Sequence, residues 1–233
     1  MVIRARDSLM AYTTGDLRWD GEGQRWLYPS GKVVSQKQLD GIIRRSQANY
    51  LRDVIEYTNR YLGGISGNYE YREGSLRLAD WERLVAETVR DSHVDMMRLG
   101  RGGKDNTYGI HYLEVANELR QNQYPYFRQL VQDFKDGKLS RKQLDNRLAA
   151  YIRSSKISYQ KGKQTYELDN YALRKINDRA ENCPDCIRYA AMGVVPASQL
   201  PLPMTACQCG TNCKCTIYYG SKSQLLKMRD GWL

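Results

Sequence analysis

Six cysteines, Cys183, Cys186, Cys207, Cys209, Cys213 and Cys215, fall within the run CPDCIRYAAMGVVPASQLPLPMTACQCGTNCKC, and no cysteine precedes them in the chain. A fold that used thiols only as small core hydrophobes would scatter them, so clustering means that the sulfurs are meant to meet. Cys183-Pro-Asp-Cys186 puts two thiolates on one tight turn, where both can point at one ion. A second pair must return from downstream to complete a tetrahedral site, and Cys207 to Cys215 offers it. Cys183 and Cys186 are the firm pair. Cys209 and Cys213 are the preferred return pair, because Gly210 between them permits a tight turn, and Cys207 and Cys215 are the substitutes. The expected cofactor is one structural zinc ion.

Two other uses of the cysteines compete. Six is an even number, so three disulfides could form. Met1 to Tyr12, however, is polar, carries Arg4, Arg6 and Asp7, and has no apolar stretch of a secretory signal. A chain made in a reducing compartment favours thiolate and metal over disulfide. A redox Cys-x-x-Cys of the thioredoxin kind would need a βαβ setting that the pattern lacks.

The remaining reactive side chains form no catalytic set. There are two histidines. His93 lies between Asp91 and Asp95, and His111 stands at the start of a later helical pattern. Neither has metal-ligand spacing to another His or Cys, and neither is followed by the x-Glu of a zinc deaminase. A Cys186–His93 nucleophile pair is conceivable, but the cysteines are better explained by one another, and both histidines read as helix-face residues. Gly100-Arg101-Gly102-Gly103 lacks the Lys-Ser/Thr of a phosphate-binding loop, and no strand precedes it, so it reads as a turn between helices. No constellation supports an enzyme.

The elements that must position the cysteines are mainly helical. Residues 1–34 read as an extended N-terminal arm with a short hairpin over Arg25–Val34, turning at Pro29-Ser30-Gly31. Ser35-x-x-Gln38 is a capping box that opens a helix with an apolar stripe at Leu39, Ile42, Ile43, Tyr50, Val54, Tyr57 and Tyr61, ending at Gly63-Gly64. Residues 65–74 read as a loop. A second helix runs from near Ser75, with a stripe from Trp81 to Leu99. A third spans Tyr108 to Gln123, and Pro125 restarts a short fourth piece ending at Gly137. Ser140-x-x-Gln143 is a second capping box, and it opens a long helix to Tyr166 in which Ser155 and Gly162 would let a neighbour approach closely. Residues 167–180 read as a further short helix, Thr216–Tyr219 as a strand and 221–233 as a polar tail. The fold class is therefore mainly α. A multi-helix body (35–180) with one long helix is followed by a small cysteine-rich, zinc-knuckle-like module with short strands (181–233). No apolar run approaches the length of a membrane span.

The net charge of +10 is unevenly placed, because residues 140–180 carry ten basic and four acidic side chains. Arg141, Lys142, Arg153, Lys156 and Lys163 on the long helix are thus candidate contacts for DNA or an acidic partner. The competing reading is a solvated helix face. The tyrosines of this helix lie on its apolar stripe, so any nucleic-acid contact would be electrostatic and sequence-independent.

The combination of a helical body and this cysteine run resembles the minor head proteins of tailed phages, in the broad phage Mu F-like head morphogenesis group. Their shared pattern is C-x-x-C, a glycine, a leucine-proline step, then N-C-R-C and an apolar strand. Here the matching residues are Cys183-Pro-Asp-Cys186, Gly193, Leu200-Pro201-Leu202-Pro203 and Asn212-Cys213-Lys214-Cys215-Thr216-Ile217. Over the body, Gly100 to Gly103, Tyr124 to Phe127 and Gly137 to Ser140 look like features of a prophage protein type. Group members often carry His-Pro before N-C-R-C where this chain has Gly210-Thr211, which moves a His ligand to a cysteine, and Lys214 replaces the arginine. The resemblance implies a structural virion protein, portal-associated or in the neck, assembled in the host cytoplasm and acting in head assembly or DNA delivery. Its implied partners are portal or other head and neck proteins and packaged double-stranded DNA, with an oligomeric state in the particle. The alternative is a zinc-containing, sequence-independent DNA-binding protein.

Overall fold

The computed structural model describes residues 12–20, 25–63, 74–102, 108–166, 170–210 and 213–231. The first part of the expected arm (1–11), Gly103 of the glycine loop, the start of the expected 167–180 helix, Thr211-Asn212 and Trp232-Leu233 lie outside the described residues.

The protein is mainly helical, with a few short strands and its cysteines gathered at the C-terminal end. Five helices build the body: α1 (Gln36–Leu62), α2 (Leu78–Gly100), α3 (Tyr108–Asn122), α4 (Pro125–Lys135) and α5 (Arg141–Tyr166). Both capping boxes form. Ser35 accepts from the Gln38 N–H while Gln38 Oε1 accepts from the Ser35 N–H at 2.8 Å, and Gln143 Oε1 accepts from the Ser140 N–H at 2.7 Å. These bonds satisfy first-turn N–H groups that have no partner within the helix.

The apolar stripes of α1, α2, α4 and α5 meet in one core that includes Val54, Trp81, Val85, Val89, Leu130, Leu144, Leu148 and Ile152. Fully buried Trp81 donates its indole N–H to Thr58 Oγ1 at 3.1 Å, so its polar edge is satisfied inside the core. The α2–α5 contact is the most extensive in the body. A Cβ on Gly162 would lie 2.5 Å from the Met97 carbonyl oxygen, and one on Gly100 would strike the Tyr159 carbonyl. The small residue expected to admit a neighbour at 162 does so. Ser155, also buried, accepts from Gln47 Nε2 at 2.9 Å.

The N-terminal residues depart from the expected extended arm. β1 (Arg18–Asp20) pairs antiparallel with β2 (Arg25–Leu27), and β2 also bridges onward from Leu27 to Val33. The turn at Pro29–Gly31 is closed by the Gly31 N–H on the Tyr28 carbonyl at 2.9 Å. Leu17, Trp26, Tyr28 and Val34 then bury against Ile42, Ile43, Met96, Leu99 and Tyr159. Residues 12–20 and 25–34 are therefore folded onto the body. The reason is four large apolar side chains in a stretch whose lack of period concealed them.

Two further expectations are corrected in the C-terminal part. Residues 171–175 form a strand, β3, where the sequence pattern predicts a short helix. β3 (Tyr171–Lys175) is the central strand of an antiparallel sheet, between β4 (Val194–Pro196) and β5 (Thr216–Gly220). All five of its residues pair with β5 and the first three also with β4, both far downstream, and this non-local pairing overrides a weak local helical preference. The polar tail contains a helix, α7 (Lys222–Arg229), opened by a third capping box, Ser221-x-x-Gln224, and anchored by buried Leu225. The other helix of the module is α6 (Pro184–Ala191), which begins inside the Cys-x-x-Cys run. Among the described residues no helix is long and apolar enough to cross a membrane.

Candidate metal centre

Cys183 occupies the N-cap position of α6, Pro184 takes the first helical position, and Cys186 sits one turn in. Proline there loses no hydrogen bond and presets the helical φ. The Cys186 backbone N–H in the same turn is the main influence that lowers the Cys183 thiol to about 7. The return segment is held against α6 by Asp185, whose Oδ2 accepts from the Gln208 N–H at 3.0 Å, and by Tyr189, whose hydroxyl donates to the Ala206 carbonyl at 3.1 Å. Met204 adopts a left-handed φ of 73°, unusual for a side chain with a Cβ. That conformation aims its N–H at Cys207 Sγ, 3.3 Å away. Gly210, with φ of 48°, makes the turn, so that the Cys213 N–H reaches the Gly210 carbonyl at 3.1 Å. Cys215 lies immediately before β5.

The six sulfurs converge. Cys209 Sγ is 3.5 Å from Cys183 Sγ, 3.5 Å from Cys186 Sγ and 3.4 Å from Cys207 Sγ, and Cys186 Sγ is 3.6 Å from Cys213 Sγ. Cys186, Cys207, Cys209 and Cys213 all lie within 4.8 Å of one another. Of the four expected ligands, Cys186, Cys209 and Cys213 belong to this tightest group. Cys207 completes it, and Cys183 stands at its edge beside Cys209. All six thiols are free. Metal–sulfur bonds of about 2.3 Å in a tetrahedron hold sulfurs about 3.8 Å apart, whereas a disulfide holds them at about 2 Å. The observed separations suit a shared ion, and four of these cysteines can hold one.

The electrostatics point the same way. Burial pushes the Cys186 thiol far above the usual thiol range and raises Cys209 to about 12. Burial also raises Cys215. At Cys213 burial acts upward too, but the Cys215 backbone N–H and neighbouring thiols outweigh it and bring the group to about 7. Cys186, Cys209 and Cys215 thus resist ionisation on their own, and a divalent cation reverses that balance.

Arg174 is a participant that sequence reasoning missed. It lies on β3, is 1% exposed, and stacks its guanidinium 5.0 Å from the centre of the Tyr189 ring. Nη2 donates to the Pro201 carbonyl at 3.0 Å, while buried Nε and Nη1 have no hydrogen-bond partner among the described residues. Its positive charge acts on Cys215. A buried guanidinium with idle donors calls for a nearby anion, and a metal–thiolate centre supplies one.

The candidate basic contacts are on α5, apart from the thiols. Arg141 is taken up by Asp145 at 2.8 Å and by Asn59. The Lys163 ammonium stands 5.4 Å from the centre of the Tyr219 ring. Lys142 and Arg153 are exposed, Lys156 is half-buried, and the three fall within about 60° of arc on the helix. His93 is buried between α2 and α5, not on an open helix face, and its ring nitrogens meet Ser158 and Ser154, not a cysteine.

Comparisons of the chain with protein-family models, with curated proteins and with solved structures find no match.

Proposed function

We propose that this chain is a non-catalytic structural protein whose C-terminal sheet is pinned by structural zinc, and that it serves as a minor head or portal-associated component of a tailed-phage particle. The observation that carries the reading is the convergence of all six thiols, which gives physical sense to the motif from Cys183 to Ile217 on which the phage resemblance rests. Thiolate-only coordination in a closed site suits zinc and leaves no open position for a substrate, as structural sites do. The site then acts as a staple joining α6, the 204–210 loop and β5.

The role in the particle is tested by quantifying the chain in purified virions. Presence at a copy number matching a ring is the expected result, and confinement to the cytosol of infected cells defeats it. A DNA-binding reading is favoured by one feature, the shared face of exposed Lys142 and Arg153 with half-buried Lys156. Contacts of this kind would be to phosphates, so binding of duplex DNA should weaken steeply with salt. A salt-insensitive, sequence-selective footprint would rule that mode out.

A further inference from the structure

A single tetrahedral ion uses four thiolates and leaves two of the six cysteines surplus. The arrangement of the sulfurs accounts for all six. Cys186 and Cys209 sit at the centre, 3.5 Å apart. On one side, Cys183 and Cys207 lie 3.5 and 3.4 Å from Cys209. On the other, Cys213 lies 3.6 Å from Cys186, and Cys215 packs in the same cluster. Cys207 and Cys213, within 4.8 Å of each other, need to move apart only slightly for each to take its own ion. The chain prepares the second side locally. Cys213 and Cys215 are two residues apart entering β5, a spacing that turns both side chains to one face, and both are 2% exposed.

We propose that the cluster binds two divalent ions through six thiolates, with Cys186 and Cys209 bridging, Cys183 and Cys207 completing one tetrahedron, and Cys213 and Cys215 the other. The proposal rests on the metal reading of this site and deepens it. Two tetrahedra sharing an edge need eight metal–sulfur bonds, and six sulfurs supply them when two are shared. Binding displaces six thiol protons, so two dications and six thiolates leave a net charge of −2. Arg174, stacked on Tyr189 which itself packs against the cysteines, has two buried nitrogens without a hydrogen-bond partner among the described residues, beside the site where that charge is needed. A single ion held by the tightest four sulfurs would leave both Cys183 and Cys215 outside the coordination sphere, although both pack in the same cluster.

The test uses the full chain, purified under reducing conditions without chelator. Native mass spectrometry counts the zinc ions, and cadmium-113 NMR of the cadmium-exchanged protein reports their connection. Two ions per chain and two mutually coupled cadmium signals are expected, because coupling passes through a bridging sulfur. Cys215→Ser, a conservative change at an outer ligand, should lower the count from two to one, whereas a single central ion would survive it unchanged. One ion per chain with a single cadmium signal overturns the two-ion proposal and leaves the one-ion reading standing. A metal-free protein with oxidised cysteine pairs overturns both.

Discussion

His93 is held by two serines one helical turn apart on α5. Its Nδ1 lies 2.7 Å from Ser158 Oγ and its Nε2 lies 3.1 Å from Ser154 Oγ. The Ser154 hydroxyl donates to the Tyr151 carbonyl at 2.6 Å, so it accepts from Nε2–H, and the Ser158 hydroxyl donates to Nδ1. The neutral ring is fully satisfied by this arrangement. Burial lowers the group from 6.5 to about 4, with the Lys161 charge adding to the effect and the Tyr151 backbone opposing it. The depressed folded-state pKa means that the unfolded chain binds the extra proton first as pH falls. The stabilisation is fully present above about 6.5 and is lost between there and about 4. His93→Gln keeps a hydrogen-bonding side chain and removes the titration. The stability difference between wild type and variant should shrink by about 3 kcal/mol across that window, since each tenfold change in proton affinity is worth about 1.4 kcal/mol. Urea midpoints at pH 7, 5.5 and 4 measure it, and a gap that does not change with pH would contradict the assignment.

At the scale of elements, the α2–α5 crossing depends on two glycines. Gly162→Val would place its side chain against the Met97 carbonyl, where even a Cβ comes to 2.5 Å. The helices must then separate, at a cost of about 1–3 kcal/mol. A thermal melt should show the loss, and an unchanged melting temperature would mean that the helices do not cross there. The expectation of close approach at 162 comes from spacing alone. The helices with long periodic stripes are legible in the same way, because Ser-x-x-Gln boxes and apolar spacing are local signals. α7 carries the same signal at Ser221-x-x-Gln224 and is readable in principle, although only Leu225 supports it from the apolar side. β3 is not readable. Tyr171–Lys175 carries no alternation, and its conformation is set by β4 and β5, which lie far along the chain. The cysteine site is legible as a cluster because ligand spacing is a sequence property. Which sulfurs come closest, and that Arg174 faces them, depends on that same sheet.

At the scale of the whole molecule, the chain joins a body with its own core to a module that has little of one. The residues around Leu17, Trp26, Tyr28 and Val34 belong to the body, so removing residues 1–34 should destabilise it. Deletion would uncover Ile42, Ile43, Met96 and Leu99, and a lowered melting temperature with increased binding of a hydrophobic dye is expected. An intact body after deletion would mean that this packing contributes nothing. The C-terminal module is held differently. Its small apolar cluster is Ala172, Ala197, Leu200, Leu202 and Ile217, flanked by Val195 and Tyr219, with Leu173 and Leu225 buried besides, and the cysteines form a separate cluster beside it. So small an apolar core rarely sustains about sixty residues without a metal or cross-link. Its connection to α5 includes Gln164, whose Nε2 donates to the Ala197 and Leu200 carbonyls at 2.9 and 3.2 Å. A metal–thiolate centre would supply the missing stability, since binding free energy at such sites is folding free energy. Chelation under reducing conditions should therefore release residues 171–231 while α1 to α5 stay folded. Hydrogen exchange followed by mass spectrometry resolves the two parts. Peptides from β3, α6 and β5 should lose protection on adding chelator and regain it with zinc, while those from α2 and α5 should stay unchanged. Equal loss throughout would mean that the body leans on the module, and no loss anywhere would mean that the sheet stands without its metal.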